Sequence, residues 1–367
     1  MTDQNDNISL VSLRDQIDEI DQQIGDLISA RAQCAIKVAE VKKRESGGQP
    51  INFYRPEREA QVLRKAMERN QGPLSDEEFA RLFREIMSAC LALENPIKVA
   101  YLGPEGTYTQ QAALKHFGHS AVAVALSAID EVFREVESGA AQYGVVPVEN
   151  SSEGVVSHTL DNFVNSNVKI CGEVVLRIHH HLLVSDVTKT DSISRIYSHS
   201  QSLGQCRKWL DSHFPKAERV AVSSNAEAAR RVKGEWNSAA IAGQMAAELY
   251  GLTSYAQNIE DQPDNSTRFL IIGTEGVGPS NADKTSIVVS TRNEPGALYH
   301  LLEPFHQHNI DLTRVETRPS ASGTWNYVFF IDFKGHADDE QVKSALAEVS
   351  ANASDIKILG SYPIGVL

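Results

Sequence analysis

A mostly apolar stripe through the first forty residues constrains the fold of this chain most strongly. Its members are spaced alternately four and three positions apart, which places them along one side of a long helix. A single helix of this length has no core of its own, so we expect it to pack on other helices, in a dimer. The stripe consists of Leu13, Ile17, Ile20, Ile24, Leu27, Arg31, Cys34, Val38 and Val41.

Signals for two further helices follow the first one. Pro56 is placed to open a second helix, and Ser75 with Glu78 forms a capping box that opens a third. Residues 1–95 are therefore predicted to form an all-helical domain. One face of the third helix carries Phe79, Phe83, Ile86, Cys90 and Glu94.

The rest of the chain combines strands and helices in two different orders. Between residues 96 and 278, seven short apolar runs alternate with amphipathic stretches, a pattern typical of α/β domains. These runs are KVAYLG, YGVVPV, HHHLLV, SRIYSH, RVAVSS, SAAIAG and RFLIIG. From 283 to 367 the predicted order is strand, helix, strand, strand, helix, strand, which fits a small ferredoxin-like domain. The stretch 274–283 is predicted to be a linker.

The overall composition excludes several classes of protein. The net charge is −13, from 35 basic and 48 acidic side chains, which argues against nucleic acid as a partner. Four cysteines lie far apart and form no CxxC pair, so we expect a reducing, cytoplasmic setting without disulfides or structural zinc. The polar N-terminus does not resemble a signal peptide, and no apolar run is long enough for a membrane helix.

Three charged side chains fall on the apolar faces of the predicted helices. Lys42 lies eleven residues after Arg31, close to three full turns, and Glu94 falls on the face of the third helix. Unpaired buried charges are costly. These residues therefore form ion pairs across the bundle, reach out to water, or line a buried anion site. Arg14 lies about 100° around the helix from Arg31, so a neighbouring chain would have to bring it to the same site.

Four motifs in this region, LRDQID, ARAQCAIKVAEVKKR, YRPERE and MSACLALE, resemble the all-helical chorismate mutase family. In that family, two intertwined chains bury two active sites that rearrange chorismate to prephenate without a covalent step. The resemblance implies that fixed donors stabilise the charge gathering on the breaking ether oxygen. It assigns the substrate carboxylates to Arg31, Arg58 and the partner's Arg14, the ether oxygen to Lys42, and a substrate hydroxyl to Glu59.

Three positions depart from the pattern of this family. Arg55 stands where some members carry an aspartate, Cys90 replaces a serine, and Glu94 replaces a glutamine that donates to the ether oxygen. Only a protonated Glu94 can donate a hydrogen bond. An apolar environment raises the pKa of a carboxyl group, so we expect the departures to change the pH dependence more than the activity.

Hydroxyl-rich segments follow four strands of the middle region. Each is predicted to lead into a helix start, where free N–H groups bind anions, and such sites gather at the carboxyl ends of strands. The segments are GPEGTYTQQAA, VENSSEGVV, SHSQSLGQC and SSNAEAA. Together they predict a cleft for a small polyanion. GPEGT lacks the Lys-Ser/Thr ending of a phosphate loop, so we do not expect nucleotide binding.

With AAIA (239–242) and NSTRF, these segments resemble the prephenate dehydratase family across the whole middle region. The resemblance implies two α/β lobes around a cleft, like a periplasmic binding protein, and conversion of prephenate to phenylpyruvate by decarboxylation with loss of the ring hydroxyl. Thr267 would donate a hydrogen bond to the departing hydroxyl, and Arg268 would bind a carboxylate or hold its loop. The other implied cleft residues are Thr107, Glu149, Asn150, Ser151, Ser152, Ser198, His199 and Gln201.

Two nearby features suggest other chemistry. The run His179, His180, His181 resembles a metal cluster, but neighbours on a strand face opposite sides and cannot all bind one ion. Cys206 is interpreted as a packed thiol at a helix start rather than a nucleophile. We therefore expect no metal and no cofactor.

In the last region, EPGALYHLL and RVETRPSASG resemble the ligand-binding motifs of the ACT family of amino-acid-binding regulatory domains. The resemblance implies that phenylalanine, the end product, binds here, with Thr317 where serine is commoner. A purely structural βαββαβ domain is the alternative. The implied contacts are Gly296, Ala297, Leu298, Glu316, Thr317, Arg318 and Pro319.

The complete chain is predicted to be a multidomain enzyme that joins an all-α mutase domain, a two-lobed α/β dehydratase domain and an α+β ACT domain. Its partners would be chorismate, prephenate, inhibitory phenylalanine and a second copy of the chain, with tetramers left open. Two alternatives remain: a non-catalytic amino-acid sensor on a helical dimer, and a dehydratase with an inactive mutase domain. Thr267 with Arg268 and the cations on the helical stripe argue against the first, and Arg31, Lys42, Arg58 and Glu59 together argue against the second.

Overall fold

The computed structural model describes residues 9–47, 52–291, 294–319 and 327–366. The first of three regions, here called the helical domain, contains the three expected helices. Ser75 caps the third by accepting from the Glu78 N–H, and Pro56 occupies the first turn of the second. The helices are α1 Leu10–Glu45, α2 Pro56–Arg69 and α3 Asp76–Glu94.

The 36-residue helix α1 packs on α3 but leaves most of its apolar stripe uncovered. It is about 54 Å long at 1.5 Å per residue, longer than either neighbouring helix. Six large apolar residues of its first half are between 41% and 70% exposed: Leu10, Leu13, Ile17, Ile20, Ile24 and Leu27. An unpaired apolar face of this size marks an interaction surface.

The middle region, here called the central domain, forms two α/β lobes. The first lobe begins with β1 Lys98–Leu102, α4 Tyr108–Phe117, β2 Val122–Leu126, α5 Ile129–Glu137, β3 Tyr143–Asn150, β4 Gly154–Val155, α6 Ser157–Asn165 and β5 Lys169–Arg177. The second contains β6 His181–Val184, β7 Arg195–His199, α7 Ser200–Gln205, α8 Arg207–His213, β8 Glu218–Val222, α9 Asn225–Val232, β9 Ser238–Ala242, α10 Gln244–Tyr250 and β10 Thr253–Ala256. The chain then returns to the first lobe through β11 Ser266–Gly273.

Each lobe is built around one sheet. The order is β2-β1-β3-β11-β5 in the first lobe, with β4 beside β3, and β10-β6-β9-β7-β8 in the second. All seven predicted strands are present, and the two-lobed α/β arrangement is confirmed. Strands β2, β5 and β10 were not predicted, and the segment after β3 forms a turn and the short strand β4 before a helix begins at Ser157.

The last region, here called the C-terminal domain, has the predicted βαββαβ order. Its sheet runs β13-β14-β12-β15, with every neighbouring pair antiparallel. The elements are β12 Asp283–Ser290, α11 Ala297–Gln307, β13 Leu312–Pro319, β14 Tyr327–Lys334, α12 Glu340–Asn352 and β15 Asp355–Pro363.

The three domains pack closely on one another. One hydrophobic core contains Phe163 and Leu270 of the central domain together with Phe330 and Tyr362 of the C-terminal domain. Strand β15 approaches β5 so closely that a Cβ atom at Gly360 would lie 2.2 Å from the Ile170 carbonyl oxygen. The domains on either side of the predicted linker are therefore in continuous contact.

Two arginines attach the helical domain to the rest of the chain. Arg64 donates to the carbonyl oxygens of Ser280 at 2.8 Å and Ala282 at 3.0 Å, in the stretch predicted as a linker. The buried Arg84 donates to the Lys115 carbonyl at the end of α4, 2.7 Å away. None of the helices among the described residues has the length and apolar character needed to cross a membrane.

Candidate active sites and regulatory pocket

A cleft of about 890 Å³ separates the two lobes of the central domain. The carboxyl ends of β1, β3, β7 and β9 converge on it, as expected for open α/β sheets. Five of the residues predicted for this site line the cleft: Thr107, Asn150, His199, Gln201 and Thr267. The topology therefore gathers residues from segments up to 160 positions apart, from 107 to 267, at one surface.

Thr267 and Asn150 form the best-defined polar pair in this cleft. They lie opposite each other on β11 and β3, and the Asn150 amide nitrogen donates to the Thr267 hydroxyl oxygen at 2.7 Å. The Asn150 carbonyl oxygen accepts from the N–H groups of Ser152 at 2.9 Å and Glu153 at 3.0 Å, which fixes the amide orientation. The Thr267 hydroxyl has no acceptor for its own hydrogen among the described residues, so it can donate that hydrogen to a ligand.

A chain of hydrogen bonds extends from this pair across the two lobes. Asn265 accepts from Asn150 at 3.0 Å and donates to Gln205 of the second lobe at 3.1 Å. Gln205 in turn contacts Nε2 of His180 at 2.8 Å, and Nδ1 of His180 lies 3.0 Å from the Tyr108 hydroxyl. Burial lowers the pKa of His180, so the imidazole is neutral in this network.

Tyr108, His180 and Gln205 line the cleft but were not selected from the sequence. Tyr108 and Gln205 belong to the hydroxyl-rich segments GPEGTYT and SHSQSLGQC, but nothing in the local sequence distinguishes them from their neighbours. For His180 the sequence suggested only a role as a metal ligand. No group of three or more metal-binding side chains occurs within 9–47, 52–291, 294–319 and 327–366.

Hydroxyl, amide and backbone N–H groups supply the hydrogen-bond donors that line the cleft. Among the described residues that line it there is no lysine and no arginine. The N-terminus of the ten-residue helix α4 faces the cleft through Thr107, and that of α9 through Ser224 and Asn225. The free N–H groups of helix starts and the surrounding hydroxyls can hold an anion without a formal positive charge.

Three residues predicted to act in the cleft point elsewhere. Neighbouring residues on a strand face opposite sides, so Arg268 leaves the sheet on the side away from Thr267 and contacts Asp332 of the C-terminal domain at 2.6 Å. Glu149 lies 3.3 Å from Arg314 of the same domain. Ser198 is fully buried and donates to Asn225 and the Ile241 carbonyl, both at 2.9 Å. Of the two roles predicted for Arg268, the geometry favours holding its strand over binding a carboxylate.

Ser151 and Ser152 support the cleft from behind. The Ser151 hydroxyl accepts from the Ser266 N–H at 2.9 Å, and the Ser152 hydroxyl donates to Asn265 at 3.3 Å. Both hydrogen bonds hold the start of β11, and neither serine lines the cleft. Cys206 is fully buried, and burial raises the pKa of its thiol well above the ordinary value, which fits a packed thiol.

A second polar group lies in the helical domain, where Glu94 of α3 approaches Arg31 and Lys42 of α1. Burial raises the pKa of Glu94, and the nearby charges of Lys42 and Arg31 partly oppose this. One Glu94 oxygen is buried without a hydrogen-bond partner in the described part of the chain. Cys90, one turn earlier, is 4% exposed. The structure therefore brings three of the predicted mutase residues, Arg31, Lys42 and Glu94, close together.

The other predicted mutase residues are not gathered at this point within one chain. Arg58 is exposed, and Glu59 pairs with the buried Arg84 at 3.4 Å, where burial raises the pKa of Glu59. Arg14 is exposed and lies about 25 Å along α1 from Arg31, at 1.5 Å per residue. The predicted role of Glu59 in holding a substrate hydroxyl therefore competes with an ion pair at the domain junction.

A third pocket, of about 250 Å³, lies at the start of α11 in the C-terminal domain. Gly296, Ala297 and Leu298 line it, as predicted, together with Tyr327 and Phe329. Gly296 adopts φ +85°, in the left-handed region that favours glycine.

The opposite wall predicted for this pocket is not formed within one chain. Glu316, Thr317, Arg318 and Pro319 lie on β13 but do not line the pocket, and Arg318 instead forms an ion pair with Asp161 of α6 at 2.8 Å. The end of the RVETRPSASG motif, residues 320–323, lies outside the described residues.

Comparison with known proteins agrees with this three-part arrangement. Family models match in three consecutive segments: chorismate mutase type II over residues 13–95, prephenate dehydratase over 99–277, and the ACT domain over 285–351. A prephenate dehydratase from Arthrobacter aurescens, solved in complex with L-Phe, superposes with a TM-score of 0.68 at 33% identity and covers 73% of this chain and 90% of that one.

Full-length relatives carry all three segments in one chain. A bifunctional chorismate mutase/prephenate dehydratase from Stutzerimonas stutzeri is 64% identical over 359 residues, which is 98% of each chain. One from Pseudomonas aeruginosa is 64% identical over 363 residues, covering 99% of this chain and all of the relative. These matches exclude the alternative of a non-catalytic sensor. The chain belongs to the bifunctional chorismate mutase/prephenate dehydratase family.

Proposed function

We propose that the cleft of the central domain is the dehydratase site and that the Thr267 hydroxyl assists departure of the ring hydroxyl of prephenate. The observation that supports this most directly is the Asn150–Thr267 hydrogen bond of 2.7 Å, which leaves the threonine hydrogen free to point into the cleft. Fixed hydrogen-bond donors placed where negative charge develops in the transition state usually make the largest single contribution to catalysis.

The reaction needs little else from the protein. The bond from the ring to the carboxylate breaks and CO₂ leaves, its electron pair enters the ring, and the C–O bond to the hydroxyl breaks as the ring becomes aromatic. The departing oxygen takes up a proton or strong hydrogen bonds, because hydroxide is a poor leaving group. The helix starts at Thr107 and Ser224 supply N–H donors for the carboxylates of the substrate.

The group of Arg31, Lys42 and Glu94 serves the mutase reaction in this proposal. Rearrangement of chorismate stretches its ether C–O bond and gathers negative charge on the oxygen, which Lys42 and a protonated Glu94 stabilise by donating hydrogen bonds. Arg31, Arg58 and the partner's Arg14 hold the substrate carboxylates and thereby the reactive conformer. The raised pKa of Glu94 favours the protonated form that this role requires.

The exposed stripe of α1 supports a homodimer in which each chain completes the other's mutase site. Within the described parts of one chain nothing covers the apolar residues along the first half of α1, and Arg14 lies in this same half. A second copy packed on the stripe would bury it and bring its Arg14 towards Arg31. We further propose a cytoplasmic setting, where the four unpaired cysteines stay reduced.

The C-terminal domain is proposed to bind phenylalanine as a feedback inhibitor of the dehydratase. Its pocket offers the apolar Leu298, Tyr327 and Phe329 to a benzyl side chain and backbone groups at 296–298 to the amino acid. The dehydratase from Arthrobacter aurescens, which shares this fold, was solved with L-Phe. Phenylalanine shifts the activity only if it binds the inactive arrangement better than the active one.

The full-length protein with chorismate tests both activities at once. We expect chorismate to disappear, prephenate to accumulate transiently and phenylpyruvate to form. Prephenate alone would mean that the cleft is not a dehydratase site, and no consumption of chorismate, with added prephenate still converted, would mean that the helical domain is inactive.

For Thr267, replacement by alanine should lower dehydratase turnover by roughly 10²-fold or more, because the departing hydroxyl loses its donor. Thr267→Ser keeps the hydroxyl and should retain most of the turnover. Initial rates with purified prephenate measure both variants, and mutase rates on the same preparations report correct folding. A Thr267→Ala enzyme with near-normal turnover would remove this residue from the mechanism.

For Glu94, mutase activity should fall as pH rises through its elevated pKa, because only the protonated acid donates. Glu94→Gln, which donates at every pH, should flatten that decline. The exposed Glu77→Gln on the same helix removes the same charge and should leave the profile unchanged. The idea fails if the Glu94→Gln profile still follows that of the unmodified enzyme.

Mixed dimers test the shared mutase site. Arg14→Ala and Arg31→Ala homodimers should each be inactive, whereas a statistical mixture should regain about a quarter of the activity, since half the dimers then contain one intact site of two. Differently tagged chains allow the mixed dimers to be purified and assayed. If verified mixed dimers recover no activity, each active site takes both arginines from the same chain.

Gly296→Ala should raise the phenylalanine concentration for half-inhibition at least roughly fivefold, because alanine at positive φ strains the backbone groups that hold the ligand. Gly139→Ala is the matched control: its φ is +74° and a Cβ there meets no atom within 4 Å. Dehydratase rates against phenylalanine concentration measure both. Equal inhibition of the two variants would place the inhibitor site elsewhere.

A further inference from the structure

One residue of the connection between α1 and α2 contacts Lys42 in two ways. Lys42 lies in the last turn of α1, and Phe53 lies eleven residues later, shortly before α2 begins at Pro56. The Lys42 ammonium donates to the Phe53 carbonyl oxygen at 3.4 Å and lies 5.3 Å from the centre of the Phe53 ring. The backbone and the side chain of Phe53 therefore both hold the amine that the proposed mutase mechanism assigns to the ether oxygen of chorismate.

Both contacts attract a cation and leave it able to bind a substrate. The face of an aromatic ring carries partial negative charge, which attracts an ammonium group within about 6 Å of its centre. A lysine ammonium has three N–H donors, and the Phe53 carbonyl oxygen accepts one of them, so two remain for a ligand. The ring also attracts the neighbouring Lys43, whose ammonium lies farther away, at 5.9 Å.

Lys42 contacts Phe53 while its charge still acts on the proposed mutase site. Burial raises the pKa of Glu94, and the nearby charge of Lys42 opposes this rise. Lys42 is half-buried, whereas Lys43 is exposed. A lysine side chain has much rotamer freedom to lose, so contacts that hold its ammonium in the free enzyme lower the cost of presenting it to a substrate.

The residues on either side of Phe53 are themselves held in place. The Asn52 amide nitrogen donates to the Tyr143 hydroxyl at 3.0 Å, and its carbonyl oxygen accepts from the Tyr54 N–H at 3.2 Å. Tyr54 is 4% exposed, and its hydroxyl lies 3.0 Å from Nε2 of His116. Phe53 therefore has a fixed backbone on both sides, which a residue needs if it is to hold a neighbouring side chain.

We propose that Phe53 is a positioning residue for the mutase reaction, whose ring and carbonyl oxygen hold the Lys42 ammonium where it donates to the breaking ether oxygen of chorismate. The inference rests on the proposed mutase role of Lys42. Phe53 acts through Lys42 and not on the reacting atoms. Its loss should therefore slow the chemical step and leave the binding of chorismate by the arginines almost unchanged.

Fluorinated phenylalanines at position 53 test the ring while nearly keeping its shape. Each ring fluorine withdraws electrons from the aromatic face and so weakens its attraction for an ammonium. We would introduce analogues with one, two and three fluorines into the full-length enzyme and measure mutase kcat and KM with purified chorismate. The kcat should fall with each fluorine, by roughly fivefold over the series, as expected for the loss of one cation–π contact. The KM should change little.

Three ordinary substitutions complete the comparison. Phe53→Leu removes the ring and should lower mutase kcat by roughly the same factor as the full fluorine series. Phe53→Tyr keeps the aromatic face and should retain most of the kcat. Lys43→Met is the matched control, because it removes the exposed cation at the same ring and should leave the mutase unchanged. Dehydratase rates and thermal unfolding of each variant report whether the chain is folded.

The outcomes separate this inference from the proposed function. An unmodified enzyme that does not consume chorismate would overturn the proposed mutase function and the inference with it. In an active enzyme, three results would overturn the inference alone. The first is a kcat that does not change along the fluorine series, which would reduce the ring to a packing role. The second is a higher kcat in Phe53→Leu, which would mean that Phe53 holds Lys42 away from the substrate. The third is a change confined to KM.

Discussion

The buried contacts of Arg268 are the interaction on which the dehydratase half of the molecule depends. Breaking a buried ion pair by removing one partner typically costs about 3–5 kcal/mol, and Arg268 has two carboxylate partners on different domains. That cost holds β11 against the C-terminal domain at the residue next to Thr267. One face of this strand presents the Thr267 hydroxyl to the cleft, and the other carries Arg268 to its partners on two domains.

The helical domain differs, because its apolar stripe and the cations of its predicted active site both lie on the surface of the single chain. No other described part of the chain covers the stripe of α1, and the cations Arg14 and Arg31 lie about 25 Å apart on one helix. The proposed second chain would cover this apolar surface and bring its Arg14 towards Arg31. In the dimer that we propose, a partner chain completes the mutase site, whereas the central domain packs on the chain's own C-terminal domain.

Periodicity and capping signals predicted most of the fold. The three helices, the seven strands and the βαββαβ order all followed from local patterns, because spacing, proline and cap residues act within a few positions. Strands β2, β5 and β10 were missed: AVAVAL contains three alanines and KICGEVVLR an internal glycine, residue types that are depleted in strands, and TSYA is short. The strand-end segments correctly located the cleft, since the carboxyl ends of parallel strands meet at one edge.

The direction of individual side chains could be predicted less well. Arg268 and Glu149 belong to the cleft motifs, but whether a back face meets solvent or another domain depends on tertiary packing, which local sequence does not encode. The same holds for Glu59, which meets Arg84 at the junction of two domains. Tyr108, His180 and Gln205 were overlooked because each has an ordinary structural role in isolation, and only the assembled lobes join them to Asn150 and Thr267.

Amide hydrogen exchange of β11 tests most directly whether the C-terminal domain holds the strand that carries Thr267. In ligand-free, full-length protein, the segment 264–270 should exchange markedly faster in Arg314→Met than in the unmodified chain, while the second-lobe strand β9 (238–242) should exchange at the same rate in both. Faster exchange confined to 264–270 and its neighbour 147–151 is the result expected if ion pairs with the C-terminal domain hold this strand. Identical exchange of 264–270 in the two proteins would contradict that account.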